Sequence, residues 1–403
     1  MKLAIGWLTF DFQGAIMGVG WTKHASNMKS ELPLVFIAVA LAAGLHPAEA
    51  DVAPTLGVVC SNHQALLYWP RTETNYVLQY CTNLASPKWS YAMDAGKAVY
   101  GTQTALTVTN LTRPRFFRLM HIFAAPPTTP PFKMASITNG TFTMGDTRDG
   151  IPDAHPVSVT LSNFYMDANL VTYDQWQQVY CFGVMIGGDF DGTGSGKGPN
   201  YPVEMVDWFD CVAWCNARSI LDGLTPVYYW DTNFAQIYSG GIGVVYVNWA
   251  TNGYRLPTEA EWERAARGGY EQLRFPRGDS ISESDANYYG SAPGVLDYDL
   301  GPAGYNPVGQ VGGDPYTSPM GSFPANGYGL YDMGGNVAEW CWDTYGVAYA
   351  GGTNPHGPTE GNSRVMRGGA YSSTADRLRC AHRGGYFPVF SYTEVGFRCV
   401  RGH

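Results

Sequence analysis

Asn326-Gly-Tyr-Gly-Leu-Tyr-Asp-Met-Gly-Gly-Asn-Val-Ala-Glu-Trp-Cys-Trp-Asp343 is the stretch on which the reading of this chain turns. It interleaves four glycines, two asparagines, three carboxylates and four aromatics in eighteen residues, so turn chemistry alternates with apolar anchoring and no helical or strand period runs through it. Gly327, Gly329, Gly334 and Gly335 permit positive φ or close backbone approach. The side chains of Asp332, Asn336 and Glu339 can then converge with nearby carbonyls on one point. A loop of that kind makes an oxygen cage for a hard cation. A tight turn whose Asp and Asn bond their own backbone explains the same residues, and this segment alone leaves both readings open.

Outward from that stretch, the chain has 403 residues, 45% of them hydrophobic, enough for a large core and for two or three domains. Charged residues are 15% of the chain and aromatics 14%, with 49 glycines, which points to a loop-rich, mostly β or irregular protein and away from a helical bundle. The formal charge is −9 and no Lys/Arg cluster occurs, so nucleic acid is excluded as a main partner.

At Met28 a targeting pattern begins: Lys29, an apolar run over 32–45, and Ala48-Glu49-Ala50 as a small-x-small cleavage site. Residues 28–50 read as a secretory signal peptide and 1–27 as an extension upstream of it, which places the protein outside the cell or in the envelope. The apolar run is too short to span a bilayer, and no transmembrane segment is expected elsewhere. Export permits disulfides among the eight cysteines, Cys60, Cys81, Cys181, Cys211, Cys215, Cys341, Cys380 and Cys399. The even number, without any Cys-x-x-Cys, fits pairing better than zinc.

Residues 51–123 alternate short β-like runs with turns, the pattern of a small all-β sandwich that a Cys60–Cys81 bond would staple. The pattern resembles the fibronectin-like modules that precede larger domains in secreted bacterial proteins. Residues 124–132 are a proline-rich, semi-stiff linker. From 133 to 403 runs a second domain. Its first two β-like runs flank Asn139-Gly140, a strong hairpin signal. Three short helices follow from their caps: 173–181 behind Thr172 and Gln175, stopped at Gly183; 208–219 behind Asp207; and 259–267 behind Thr258 and Glu261.

Several segments of this second domain, in order, resemble the formylglycine-generating enzyme family, also called sulfatase-modifying factors. They are Gly140-Thr-Phe-Thr-Met-Gly, Phe164-Tyr-Met-Asp, Val206-Asp-Trp, Arg255-Leu-Pro-Thr-Glu-Ala-Glu-Trp-Glu, the stretch quoted first, Arg367-Gly-Gly and Gly396-Phe-Arg-Cys. The resemblance implies an α+β fold, an irregular C-type-lectin-like domain, here preceded by the small all-β module. It also implies structural calcium. One family site falls on Asp332, the carbonyls of Gly335 and Val337, and Glu339, which tips the opening stretch toward the cation reading. The other falls on Asn287, the carbonyl of Tyr288, Asp314 and the carbonyl of Tyr316, in a loop shorter than the family pattern. A family disulfide maps to Cys215–Cys399. A second is half missing, since Ala266 stands opposite Cys380, leaving Cys341 or Cys211 as other partners for it.

The departure that matters lies between Arg367 and Arg383. Formylglycine-generating oxidases carry two cysteines there that bind copper(I), a soft ion that needs thiolates. Here serines stand where the first should be and Cys380 matches a structural cysteine, so copper is not expected. The histidines show no His-x-His or His-x-x-x-His spacing, so the iron-dependent branch of the family has no matching ligand set either. What remains is a surface. Tyr371, Ser372, Ser373, Asp376, His382, Tyr386, Phe387 and Tyr392 give contact area and adaptable hydrogen bonds where the family's active-site groove would be. The same fold carries the variable receptor surfaces made by diversity-generating retroelements, in this region. The expectation is a calcium-stabilised, lectin-fold binding module for a protein, peptide or glycan, against the alternative of an oxidase acting on a sulfatase cysteine.

Overall fold

The computed structural model describes residues 133–402 except 149–153, 347–348 and 350, together with the backbone of the strands between Gly6 and His121. The chain divides into two compact units, 1–126 and 127–403. In the first unit Gly6–Phe10 pairs antiparallel with Ile16–Trp21. Past Gly57 the strands form two antiparallel sheets. One orders Gly57–Ser61, Gln64–Pro70, Gln103–Val108 and Lys97–Tyr100; the other orders Ser90–Tyr91, Tyr76–Cys81 and Phe116–His121. Cys60 and Cys81 thus sit on different sheets, and their side chains, like the whole of the 28–50 segment, lie outside the described residues.

The second unit is an α+β arrangement of small sheets and short helices. Met134–Ile137, Phe164–Asp167 and Val400–Gly402 form one sheet; Gly140–Met144, Val157–Leu161 and Gly352–Thr353 form another. The hairpin expected at Asn139-Gly140 is therefore absent. Its two runs enter different sheets, Met134–Ile137 pairing with Phe164–Asp167 and Gly140–Met144 with Val157–Leu161. Gly140, at φ +149°, and the bond from the Asn139 amide to Asn163 Oδ1 at 2.6 Å make a crossover. Burial decides this, because Ile137, Phe142 and Met144 must all reach one core.

Helix α1 is Tyr173–Met185, α2 Trp208–Leu221 and α3 Glu259–Ala266. Thr172 and Thr258 form full capping boxes, and Asp207 caps α2. Gly183 does not stop α1, which runs on to Met185. A Cβ there would meet the Phe190 ring at 2.9 Å, so the glycine serves close packing rather than termination. Trp176 of α1 stacks on Trp214 of α2 with ring centroids 6.0 Å apart, and Phe397 meets both edge-on. One short helical turn, α4, covers Pro307–Gln310.

The frame of the unit is ionic and dry. All three glutamates of α3 are buried and matched: Glu259 by Arg383 at 2.6 and 2.8 Å, Glu261 by Arg255 at 2.6 and 2.7 Å, and Glu263 by Arg267 and Arg367. Burial alone would raise the Glu263 carboxyl, but the two guanidiniums outweigh it and hold the group below its ordinary range. These charges tie α3 to Arg364–Arg367, a strand of the third sheet, whose order is Gly384–Tyr386, Arg364–Arg367, Ala338–Thr344 and Val395–Gly396. Among the described residues, no helix is long and apolar enough to cross a membrane.

Candidate functional site

One face of that four-stranded sheet floors a cavity of about 620 Å³. Ala338 faces Val395 and Met366 faces Gly384 across the ladder, and these four form the floor. The walls come from the 369–377 loop and from Tyr386 and 392–394. The 369–377 turn owes its shape to Gly368 and Gly369 at φ +87° and +68°, with Ser373 Oγ accepting from the Ala370 amide at 3.0 Å.

Of the residues expected on a surface here, the structure brings Ser372, Ser373, His382, Tyr386 and Tyr392 around this one cavity. Tyr371 is different: it is buried behind the wall, hydrogen-bonded to Thr393, with burial raising its hydroxyl to about 12. Asp376 sits half-buried in the turn Ala375–Leu378, accepting from the Thr374 hydroxyl at 2.6 Å, outside the lining. Phe387 lies beside the groove, 54% exposed and edge-on to Phe390. Sequence reasoning missed Arg377 and Glu394, both of which line the cavity. A signal for Glu394 existed, since it is the one charged residue between Arg383 and Arg398.

The charges of the groove are not matched like those of the frame. Arg367 touches the cavity, but its guanidinium is committed to Glu263 and to the His382 carbonyl. Arg377 is exposed and Glu394 half-buried, and neither has an oppositely charged partner among the described residues. Burial, then Arg379 and Arg367, lowers the His382 imidazole to about 4, so at neutral pH it is uncharged, one nitrogen donating and the other accepting.

The six described cysteines, Cys181, Cys211, Cys215, Cys341, Cys380 and Cys399, are all buried thiols, and none is among the residues lining the cavity. Cys215 and Cys399 bring their sulfurs to 3.5 Å, a thiol–thiol hydrogen bond and not a disulfide. Cys341 and Cys380 share the core cluster that also holds Ala266, while Cys211 lies close to Cys399.

The 332–337 loop, which leads into the strand Ala338–Thr344, folds as its composition suggests, with Asp332, Gly335 and Asn336 at positive φ. The fit of a cation there can be judged from the donors. Asp332 is buried with Oδ2 unpartnered, and burial pushes its carboxyl up to about 7, Glu339 adding to that and Arg398 opposing it. Both oxygens of Glu339 accept from Arg398, at 2.7 and 3.0 Å. Arg398 bonds the Glu339 carboxylate and only the backbone carbonyl of Asp332, which leaves the buried Asp332 side chain an open oxygen that suits a hard cation. At the other expected site, Asn287 Nδ2 donates to the Tyr316 carbonyl at 2.8 Å, so these two meet. Asn336 joins the two loops: its amide takes the Asn287 carbonyl and its side chain holds Ser318 on both sides. Asp314 instead shares its surroundings with Glu204 and Lys197.

Comparison with known proteins bears on these features. Residues 121–403 match the family described as the sulfatase-modifying factor enzyme 1-like domain. A serine/threonine-protein kinase pkn1 of Chlamydia caviae is 35% identical over 67% of this chain, which spans only 38% of that relative. A formylglycine-generating enzyme of Mus musculus is 33% identical over 67% of this chain and 75% of its own length. Among solved structures, Treponema denticola variable protein 1 superposes with a TM-score of 0.52 at 28% identity, over 66% of this chain and 94% of that one.

Proposed function

The chain belongs to the sulfatase-modifying factor family, and on that premise we propose that it is an exported binding module on the family's lectin-type scaffold, without the family's copper chemistry. The observation that supports this reading is the lining of the groove, which holds Ser372 and Ser373 while every described thiol is buried elsewhere. Copper(I) needs soft thiolates, and serine hydroxyls do not supply them. A cavity of about 620 Å³ lies within the usual 300–1,000 Å³ range for ligand pockets, so the scaffold keeps room for a bound molecule.

Structural calcium belongs to the same proposal. Asp332 and Glu339 with the Gly335 and Val337 carbonyls would hold one ion, and Asn287, Asp314 and the carbonyls of Tyr288 and Tyr316 another. Bound calcium would neutralise the charge that Arg398 leaves uncompensated. The chain's own part is to hold the loops 287, 316–318 and 332–339 together through Asn336.

A second reading, formylglycine formation on a sulfatase cysteine, is favoured by the relatives that carry that enzyme's name. A copper(I) titration followed by incubation with a cysteine-containing sulfatase peptide decides between the two. Binding without copper uptake and without aldehyde is expected; stoichiometric copper with aldehyde formation overturns the binding-module reading.

A further inference from the structure

We infer that the groove over the four-stranded sheet takes a neutral oligosaccharide, recognised by Arg377, Glu394 and the Tyr386 ring. The inference rests on the binding-module reading and names its ligand. It begins with charge. Arg377 and Glu394 line the same cavity from different segments, and neither is paired among the described residues. His382 is uncharged there, and the Arg367 guanidinium is neutralised from behind by Glu263. A phosphate or sulfate drawn to Arg377 would meet Glu394, and an amine drawn to Glu394 would meet Arg377. A ligand dense in uncharged hydroxyls meets no such conflict, because each hydroxyl both donates and accepts.

The other groups of the lining follow the same logic. Arg377 only donates, Glu394 only accepts, and neutral His382 offers one of each. Ser373, having accepted the Ala370 amide, still has its hydroxyl proton to give. Thr374, having given its proton to Asp376, can still accept. The lining therefore offers donors and acceptors together, as vicinal hydroxyls require.

The aromatic wall supplies the apolar part. Tyr386 is 36% exposed and meets Tyr392 edge-on at 5.5 Å rather than stacked, and exposed Phe387 and Phe390 continue the strip. The negative face of such a ring attracts the CH face of a sugar by the quadrupole that also attracts cations. A peptide added as an extra strand could pair only at the outer strands Gly384–Tyr386 and Val395–Gly396, three and two residues long, since Ala338–Thr344 and Arg364–Arg367 are paired on both sides.

The test uses the full chain on an array of neutral, carboxylated and sulfated oligosaccharides alongside an array of peptides, with calorimetry on any hit. Expected is binding to a neutral oligosaccharide whose affinity changes less than about twofold between low and high salt, since no ion pair is formed. Arg377→Ala, Glu394→Gln and Tyr386→Ala should each weaken it about tenfold with the melting temperature unchanged. The inference is overturned if no neutral oligosaccharide binds, or if binding is indifferent to all three variants. It is also overturned if salt releases the ligand. A peptide that binds through Arg377 and Glu394 would sink the inference yet leave the binding-module reading standing. Copper-dependent aldehyde formation would sink both.

Discussion

The frame around α3 and the groove across the four-stranded sheet share Arg367 and treat charge in opposite ways. In the frame, Glu259, Glu261 and Glu263 are dry and each meets a guanidinium within hydrogen-bond distance. In the groove, Arg377 and Glu394 reach solvent without an opposite charge. Matched, buried ions specify a fold and have nothing left to offer a ligand, whereas unmatched ions at a cavity are available to one. The Asp332 loop stands between these extremes, being dry like the frame but, like the groove, holding a carboxyl to which no guanidinium is bonded.

Five measurements put that contrast at risk. The largest effect is expected for Arg367→Ala, which strips Glu263 of one of its two guanidiniums in a fully buried setting. A loss of about 3–5 kcal/mol in chemical denaturation is predicted; a variant as stable as the parent would show that the frame is not what holds the domain. Next comes the Cys215–Cys399 pair, whose sulfurs already adjoin. Oxidised protein should show both cysteines blocked to alkylation, and reduction should lower stability by about 2–4 kcal/mol. Free alkylation of both after unfolding of air-exposed protein would rule the bond out.

Calcium and pH probe the intermediate loop. At calcium about 100-fold above its dissociation constant, stabilisation of about 2.7 kcal/mol is expected, seen as a lower melting temperature on chelation. Without calcium, the Asp332 carboxyl rises from its ordinary 3.8 to about 7 on folding, so the folded state binds the extra proton between these values. That group's contribution to stability is then present at low pH and lost as pH rises through that window. Asp332→Asn should flatten that slope; a slope unchanged in the variant would assign it to other carboxylates such as Glu204, also raised to about 7 by burial. The smallest effect belongs to the groove, where Arg377→Ala should shift stability by less than about 0.5 kcal/mol. A larger loss would place Arg377 in the frame after all.

Much of the domain was legible in order along the chain. The caps at Thr172, Asp207 and Thr258 act within four residues, so helix starts follow from local hydrogen bonding. The positive-φ loop at 332–336 was written in its glycines and asparagine for the same reason. Ser372 and Ser373 were named from the sequence, and both line the groove. Less legible were features in which distant segments compete for the same group. The Asn139-Gly140 turn carries a hairpin's sequence, yet each flanking run finds its partner elsewhere. Gly183 carries the mark of a helix end, yet serves the Phe190 ring.

The family scaffold and the helix starts could be read from the chain alone, because they depend on residue identity and on bonds that span a few residues. That the acidic first turn of α3 faces inward, that Arg398 takes Glu339, and that Arg377 and Glu394 stay unmatched around one cavity emerged only with the packing of distant segments. Charge pairing between residues as distant in the chain as Glu259 and Arg383, 124 apart, depends on which guanidinium the packed core delivers to which carboxylate. No local pattern carries that information.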